Sequence, residues 1–228
     1  MSENNETKKC LYKDSNIQEL NTSSSSENDS EKSKSVNKPL MIIGPSGVGK
    51  DTIMSMFKKK YPNLIIKCVS NTTRAKRDGE IEGVNYHYIS KEKFADLELK
   101  NELFGIFKNY DNCYGVSKTV LKNTLTNSKI VYFDLNIKTA EEISKDDDLD
   151  FNYIALLPPN ISELKNRLVK RNTENAQSLQ KRLDYASIEI EKIKNADFLN
   201  YKIVNKSVEE TFKKFEKYVK DLYPRLFQ

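Results

Sequence analysis

The residues best suited to chemistry are a lysine and three glycines within the segment from Leu40 to Thr52, which reads LMIIGPSGVGKDT. A glycine-rich turn lets successive backbone N–H groups point at phosphate oxygens, and Lys50 at its end can reach the outer phosphates of a nucleoside triphosphate. The apolar run before the turn predicts a buried strand, and apolar residues at helical spacing after it predict a helix that ends before Pro62. The segment therefore predicts a triphosphate site at the N-terminus of a helix.

Asp51 departs from the usual form of such a loop, in which a Ser or Thr after the lysine supplies a hydroxyl to Mg²⁺. A carboxylate in the first turn of a helix is favoured by the helix dipole, so Asp51 also fits a purely structural role. In a functional role it would place negative charge beside phosphates, which requires a cation between them. Thr52 offers a hydroxyl at the next position. Both roles of Asp51 stay open at this point.

The composition narrows the class of reaction and the compartment. The chain has 228 residues, long enough for one α/β domain with its own core, and His87 is its only histidine. Chemistry that relies on several histidines is therefore disfavoured, and a reaction driven by positioning and electrostatics is favoured. The three cysteines form no close pair, so we expect no disulfide framework or structural zinc and a reducing, cytoplasmic location. No window has the length and hydrophobicity of a membrane span.

Residues 1–37 differ in composition from the rest of the chain. They are polar, include a serine run from Ser23 to Ser26, and carry five lysines against seven acidic residues. Such a segment cannot bury enough apolar surface to offset its ordering entropy, so we expect a disordered tail before a domain over residues 38–228. The positive charge of the chain therefore belongs to the domain, where it suits an anionic small molecule and is too diffuse to indicate nucleic acid.

Five apolar runs predict core strands, and helical patterns separate most of them. The runs are Leu40–Ile43, Leu64–Val69, Ile130–Leu135, Tyr153–Leu157 and Tyr201–Val204. Strands that alternate with helices predict an α/β fold, in which a parallel sheet carries helices on both faces. An apolar stripe at helical spacing, formed by Leu179, Leu183, Ala186, Ile190 and Ile193, predicts one long helix. Ser207 with Glu210 three residues later predicts the capping box of the final helix.

A second polar segment follows the second predicted strand. It holds Arg74 and Arg77, three residues apart, among Ser and Thr hydroxyls. Planar guanidinium groups grip a doubly charged phosphate well, so this pair predicts a phosphate site at the carboxyl end of the strand. When the segment is taken alone, a solvated basic loop explains these residues equally well.

Taken together, the motifs resemble those of the guanylate kinase family. From about Pro39 onward, five features fall in the order and spacing of that family: the glycine loop, the segment SNTTRAKRDGE from Ser70 to Glu80, Tyr86, the pair Tyr114–Gly115, and the segment from Arg167 to Arg182. The resemblance implies a P-loop α/β fold in three layers. It also implies a small monophosphate-binding subdomain near residues 70–117 and a helical lid near residues 167–182.

The same resemblance implies a role for each matched residue. ATP would be held by Gly44, Ser46, Gly47, Gly49, Lys50, Thr52 and Asn205. The phosphate of GMP would be held by Ser70, Arg74, Arg77, Tyr86 and Tyr114. Charge on the transferred phosphoryl group would be neutralised by Lys50, Arg171 and Arg182, and Mg²⁺ would lie near Asp51, Thr52 and Asp134.

Four matched positions, including Asp51, differ from the family pattern. Gly105 stands where the family carries a carboxylate that accepts hydrogen bonds from guanine, Val116 replaces a serine, and Asn136 replaces an aspartate. The residues that grip phosphate are thus retained, whereas residues that read the base are lost. A site without hydrogen-bond partners for a base can lose discrimination by orders of magnitude.

The sequence therefore predicts phosphoryl transfer from MgATP to GMP by a monomeric enzyme, without a covalent intermediate. Two alternatives stay open. One is a binding module whose arginine and tyrosine pocket receives a phosphopeptide or another phosphate, and the other is a kinase for a different nucleoside monophosphate. We expect neither nucleic acid nor a membrane as a partner.

Overall fold

The computed structural model describes residues 37–109, 112–125, 129–146, 150–170 and 176–228. The strands are β1 (Leu40–Ile43), β2 (Ile65–Lys67), β3 (Asn71–Thr72), β4 (His87–Tyr88), β5 (Leu103–Asn109), β6 (Asn112–Ser117), β7 (Ile130–Leu135), β8 (Asn152–Leu157) and β9 (Tyr201–Val204). The helices are α1 (Lys50–Lys60), α2 (Lys91–Leu99), α3 (Lys118–Leu125), α4 (Ile137–Ile143), α5 (Ile161–Lys170), α6 (Ala176–Asn195) and α7 (Val208–Leu222), with a 3₁₀ turn at Pro224–Leu226.

The central sheet has five strands in the order β2-β7-β1-β8-β9, and each neighbouring pair is parallel. These are the five strands that the apolar runs predict, with ends that differ by one or two residues. Strand β1 lies between β7 and β8, so its carboxyl end is at the middle of one sheet edge. In open α/β sheets, ligands bind at this kind of edge.

Both faces of the central sheet are buried. Within β1, Leu40 and Ile42 pack into one apolar cluster while Met41 and Ile43 pack into the other, because side chains alternate along a strand. Helices α1 and α7 complete the first cluster, and α4 and α6 complete the second. The predicted three-layer α/β arrangement is therefore confirmed.

A second sheet builds the small subdomain that the resemblance implies near residues 70–117. Its order is β4-β3-β6-β5, in which β3 pairs parallel with β4 and antiparallel with β6, and β5 and β6 form an antiparallel pair. The pairing of β5 shifts register between Phe104 and Phe107. Gly105 lies at this irregularity with φ of 61°, in the left-handed region. A residue in that conformation is typical of a β-bulge, which favours glycine.

Helices α5 and α6 occupy the region predicted as a lid. They pack together through Leu164 and Leu168 of α5 and Leu183 and Ala186 of α6, so the predicted apolar stripe of α6 is confirmed. Ser207 caps α7, since its hydroxyl accepts the backbone N–H of Glu210 at 3.3 Å, as predicted. The tail up to residue 36 and the lid segment 171–175 lie outside the described residues. Within the described ranges, none of the helices has both the length and the hydrophobicity needed to span a membrane.

Candidate active site

One cleft runs between the carboxyl edge of the central sheet and the small subdomain. Most of the predicted site residues line it: Gly44, Ser46, Gly47, Gly49, Lys50, Asp51, Ser70, Arg74, Arg77, Tyr86, Tyr114, Asp134 and Arg182. Their positions in the chain span residues 44 to 182, so the fold brings distant segments to one place. The loop after β1 forms one wall, and the β3, β5 and β6 sheet forms the opposite wall.

The glycine loop curls tightly against the core. Gly44 has φ of 151°, and a Cβ atom there would lie 2.4 Å from the backbone oxygen of Leu156. Gly49, with φ of 105°, is the residue before α1, and a Cβ atom there would lie 2.6 Å from the amide nitrogen of Asn205. Both positions therefore require glycine for conformation and for space. This backbone path presents the start of α1 to the cleft, as an anion-binding loop requires.

Lys50 lies at the junction of this loop and α1. Its ammonium group donates to the backbone oxygen of Gly44, lies 3.5 Å from the oxygen of Pro45, and forms an ion pair with Asp134 at 3.5 Å. Burial raises the pKa of Asp134, Lys50 lowers it, and the nearby carboxylate of Asp51 raises it again. A cation beside the glycine loop would stabilise the charge of the Asp134 carboxylate.

The opposite wall is organised around Glu80. Its carboxylate pairs with one guanidinium nitrogen of Arg74 at 2.7 and 3.0 Å, accepts the backbone N–H of Arg77 at 2.8 Å, and accepts the hydroxyl of Tyr88 at 2.7 Å. Burial alone would raise the pKa of Glu80, but these hydrogen bonds outweigh it and hold the pKa at about 2. Glu80 is therefore ionised at neutral pH and fixes the direction of the Arg74 guanidinium.

Aromatic rings support the same arginine. The Arg74 guanidinium lies 5.5 Å from the ring centre of Tyr86, and the ring of Tyr86 lies 5.9 Å from that of Tyr114. Burial raises the pKa of Tyr86 well above its usual value, so the phenol keeps its proton. The hydroxyl can then donate a hydrogen bond to a phosphate oxygen. Arg74, Tyr86 and Tyr114 together form a rigid, positively charged surface that faces the glycine loop.

The lid helices reach the loop through two arginines with different positions. Arg182 of α6 lines the cleft and donates to the hydroxyl of Ser46 at 3.2 Å. Arg167 of α5 lies behind the loop, where it donates to the backbone oxygen of Asn205 at 2.9 Å and pairs with Glu163 at 2.9 Å. Arg171, the third arginine of the region, lies outside the described residues.

Two residues that the resemblance assigns to ATP binding, Asn205 and Thr52, are not among the residues that line the cleft. Asn205 is buried behind the loop, where its amide donates to the backbone oxygen of Val48 at 2.7 Å and its carbonyl accepts the hydroxyl of Thr211 at 2.9 Å. These bonds tie Asn205 to the loop and to α7. Thr52 is exposed on the first turn of α1, next to Asp51, which does line the cleft.

The family model for guanylate kinase matches residues 36–222 of this chain. The chain belongs to the guanylate kinase family. It is 37% identical over 177 residues to a guanylate kinase of Clostridium perfringens (strain SM101 / Type A), an alignment that covers 78% of this chain and 80% of that protein. It is 38% identical over 177 residues to a guanylate kinase of Clostridioides difficile (strain 630), covering 78% and 84%.

The fold agrees with a solved member of the guanylate kinase family. The crystal structure of guanylate kinase from Anaplasma phagocytophilum matches with a TM-score of 0.61 and 25% sequence identity. The match covers 82% of this chain and 86% of that chain. The likeness therefore extends over both the central sheet and the small subdomain.

Three of the positions that differ from the guanylate kinase pattern have a structural role. Asn136 caps α4, because its carbonyl accepts the backbone N–H of Thr139 at 3.0 Å and its amide donates to the hydroxyl of Thr139 at 2.8 Å. Val116 is fully buried in the core. Gly105 forms the bulge of β5 and still lines the cleft.

Sequence reasoning missed Glu189, a buried carboxylate of α6 that lines the cleft. The sequence does contain a signal for it, which is a charged residue on an apolar stripe. Glu189 lies three residues after Ala186 and four before Ile193, on the apolar face of the helix. Burial raises the pKa of Glu189 to about 7, Lys50 lowers it, Asp134 raises it, and the backbone N–H of Ile137 lowers it by donating to the carboxylate. A carboxylate kept at a cost to stability inside a cleft indicates a functional position.

We expect the substitution Glu189→Gln to stabilise the protein at alkaline pH. A carboxylate with a raised folded-state pKa binds its proton more tightly in the folded state, so stability falls as pH rises from about 4.5 to about 7. The neutral amide avoids this loss. The free energy of unfolding should therefore rise by about 1–3 kcal/mol at pH 8 and change little at pH 4, as measured by urea denaturation. An equal effect at both pH values would contradict the assignment.

Proposed function

We propose that the protein transfers the terminal phosphoryl group of ATP to GMP, giving ADP and GDP. The proposal rests on a single cleft that carries a triphosphate loop on one wall and a surface of arginine and tyrosine on the other. Two phosphate sites in one cleft can bring a donor and an acceptor into line, and such positioning is the main requirement of phosphoryl transfer. Membership of the guanylate kinase family supports the same reaction.

On the acceptor side, Arg74 and Arg77 would hold the phosphate of GMP, with Ser70, Tyr86 and Tyr114 beside them. Glu80 keeps the Arg74 guanidinium in place before the substrate arrives. Little side-chain freedom then remains to be lost on binding, which strengthens the interaction. The acceptor oxygen is thereby fixed opposite the loop.

On the donor side, the backbone N–H groups of the loop and the ammonium of Lys50 would hold the β- and γ-phosphates of ATP. Arg182, which contacts Ser46 of the loop, would neutralise charge on the transferred group, together with Arg171. Positive charge fixed before the reaction stabilises the transition state without reorganisation. No covalent intermediate is needed, because the two phosphates react directly.

The residues at the floor of the cleft fit a magnesium ion. The charge of Asp51 raises the pKa of Asp134, which a cation between the two carboxylates would reverse. The described residues contain no group of three or more His, Cys, Asp or Glu side chains around one point, which agrees with Mg²⁺ held by one or two carboxylates and by phosphates. We propose Asp51, Thr52 and Asp134 as its neighbours. When bound with ATP, the ion would neutralise phosphate charge.

The binding-module alternative needs only the arginine and tyrosine wall. The cleft also carries Lys50 in the loop and Arg182 against it, so donor-side residues are in place. This favours transfer over binding alone.

GMP should be the best acceptor when ADP release is measured with GMP, dGMP, AMP, CMP and UMP in turn. The reason is that the acceptor wall lies in a cleft whose sequence and fold match guanylate kinases. A clear preference for AMP or a pyrimidine nucleotide would refute the assigned substrate. Binding of GMP and MgATP without ADP release would instead favour the binding module.

We also propose that the protein acts as a monomer in a reducing, cytoplasmic compartment. One chain supplies both walls of the cleft, so catalysis needs no residue from a second copy. Cys68 and Cys113 are both free thiols, which suits a reducing environment.

A further inference from the structure

The edge of guanine that distinguishes it from adenine presents two donors, N1–H and the 2-amino group. A carboxylate is the natural partner, because it accepts at both oxygens and donates nothing. Four carboxylates line the cleft: Asp51, Glu80, Asp134 and Glu189. Glu80 already accepts three groups, and Asp134 pairs with Lys50 beside Asp51 at the triphosphate loop. Among the described residues Glu189 forms no ion pair, and it lies close enough to Lys50 and Asp134 for their charges to shift its pKa.

Glu189 is held firmly and retains acceptor capacity. Its side chain is only 6% exposed, and the backbone N–H of Ile137 donates to its carboxylate. Within the described part of the chain, Glu189 takes part in no salt bridge. One hydrogen bond leaves most of the lone pairs of a carboxylate unused, and an unpaired buried acceptor is costly. A ligand with two adjacent donors would satisfy it.

Glu189 and Gly105 both line the cleft, and each has neighbours at the junction of β7 and α4. The backbone N–H of Ile137, the first residue of α4, is close enough to lower the pKa of Glu189. A Cβ atom on Gly105 would lie 3.5 Å from the methyl group of Thr139 and 3.7 Å from the side chain of Leu135, at the same junction. Gly105 itself fills little of that space, and the carbonyl of Asn136 already accepts the backbone N–H of Thr139. Glu189 is therefore the acceptor available at this end of the cleft.

Three aromatic rings also line the cleft, and one of them lies on the same helix as Glu189. Tyr185 lies one turn before Glu189 on α6, and its ring centre is 6.1 Å from that of Phe107. The ring of Phe107 is 6.3 Å from that of Tyr114, and all three rings line the cleft. A purine beside these rings would gain apolar and aromatic contact while its polar edge met the carboxylate.

We propose that Glu189 reads the guanine base, accepting hydrogen bonds from N1–H and from the 2-amino group. The inference rests on the proposed function, since it assumes that GMP occupies the acceptor half of the cleft. It assigns base recognition to helix α6 in place of the strand β5 residue at position 105. Because α6 also carries Arg182, one helix then contacts both the base and the triphosphate loop.

The test compares GMP with inosine monophosphate, which keeps N1–H but lacks the 2-amino group. Calorimetry with the full-length protein should show that Glu189→Gln weakens GMP binding by about 10- to 100-fold, with a smaller loss for inosine monophosphate. Glu191→Gln is the matched control, because Glu191 lies on the same helix, is exposed and contacts Asn195 and Lys194. It should leave both affinities unchanged.

Equal losses for the two nucleotides would overturn the proposal, because a structural role of Glu189 affects both alike. A parent protein that binds GMP and inosine monophosphate equally would overturn it as well, even if Glu189→Gln failed to fold. A different result would refute the proposed function without refuting this inference. If the parent protein binds GMP through Glu189 but releases no ADP, it is not a kinase, and the contact between Glu189 and the base still holds.

Discussion

Replacing Lys50 with alanine should lower kcat for phosphoryl transfer by about 100- to 1000-fold, measured by ADP release at saturating GMP and MgATP. The ammonium group lies at the loop, against the oxygen of Gly44 and 3.5 Å from Asp134. From there the ammonium group can stabilise the negative charge that moves from the transferred phosphoryl group toward ADP. An interaction that strengthens in the transition state affects kcat more than ground-state binding.

The control for this prediction is Lys59→Ala, at the exposed end of the same helix. It removes one positive charge from α1 without touching the cleft, so kcat should not change. Lys50→Ala also takes the cation away from Asp134, so its melting temperature must be measured alongside. A Lys50→Ala protein that stays folded and keeps more than about a tenth of the parent kcat would contradict the role of Lys50.

The sequence was sufficient to predict the central sheet, because its strands are buried on both faces and therefore read as continuous apolar runs. The strands of the small sheet were a different case. β3 spans only Asn71–Thr72 and β4 only His87–Tyr88. Two residues are too short for an alternating pattern to develop, so β3 and β4 could not be predicted from periodicity.

Gly105 shows why a substitution cannot be interpreted from residue type alone. From the sequence alone, Gly105 indicates only that the carboxylate of the family pattern is absent. In the structure, Gly105 has φ of 61° and lies at the register shift of β5, so the backbone here adopts a conformation that favours glycine. Glutamate at this position would adopt a left-handed conformation at a cost of about 1–2 kcal/mol, so restoring the family residue would also strain the bulge.

Asn205 and Glu189 are two buried polar residues whose contacts could not be predicted from the sequence. The predicted place of Asn205 beside a nucleotide stays a prediction, and in the structure its side chain is bonded to Val48 and Thr211. Glu189 was overlooked because it interrupts an apolar stripe that otherwise indicates packing. Tertiary contacts decide between a binding and a bracing role, and no local pattern encodes which partner a buried polar atom meets.

The substitution Arg74→Ala should raise KM for GMP by about 100-fold, with a smaller change in kcat. Arg74 is largely buried, paired with Glu80 at 2.7 Å and packed over Tyr86, so its guanidinium is already oriented when GMP binds. Removing it deletes charge-assisted hydrogen bonds to a dianionic phosphate and leaves the carboxylate of Glu80 next to that phosphate without its arginine partner. Both effects weaken acceptor binding.

The variants that sharpen this prediction are Lys76→Ala and Arg74→Lys. Lys76 is exposed on the same loop, so its removal alters the local charge equally but should change KM for GMP by less than about twofold. Arg74→Lys keeps the charge but cannot grip Glu80 and a phosphate at once, so its KM should lie between those of the parent and Arg74→Ala. If KM for GMP stays near the parent value in Arg74→Ala while KM for ATP rises, Arg74 serves the donor nucleotide, and the two walls of the cleft have been assigned the wrong way round.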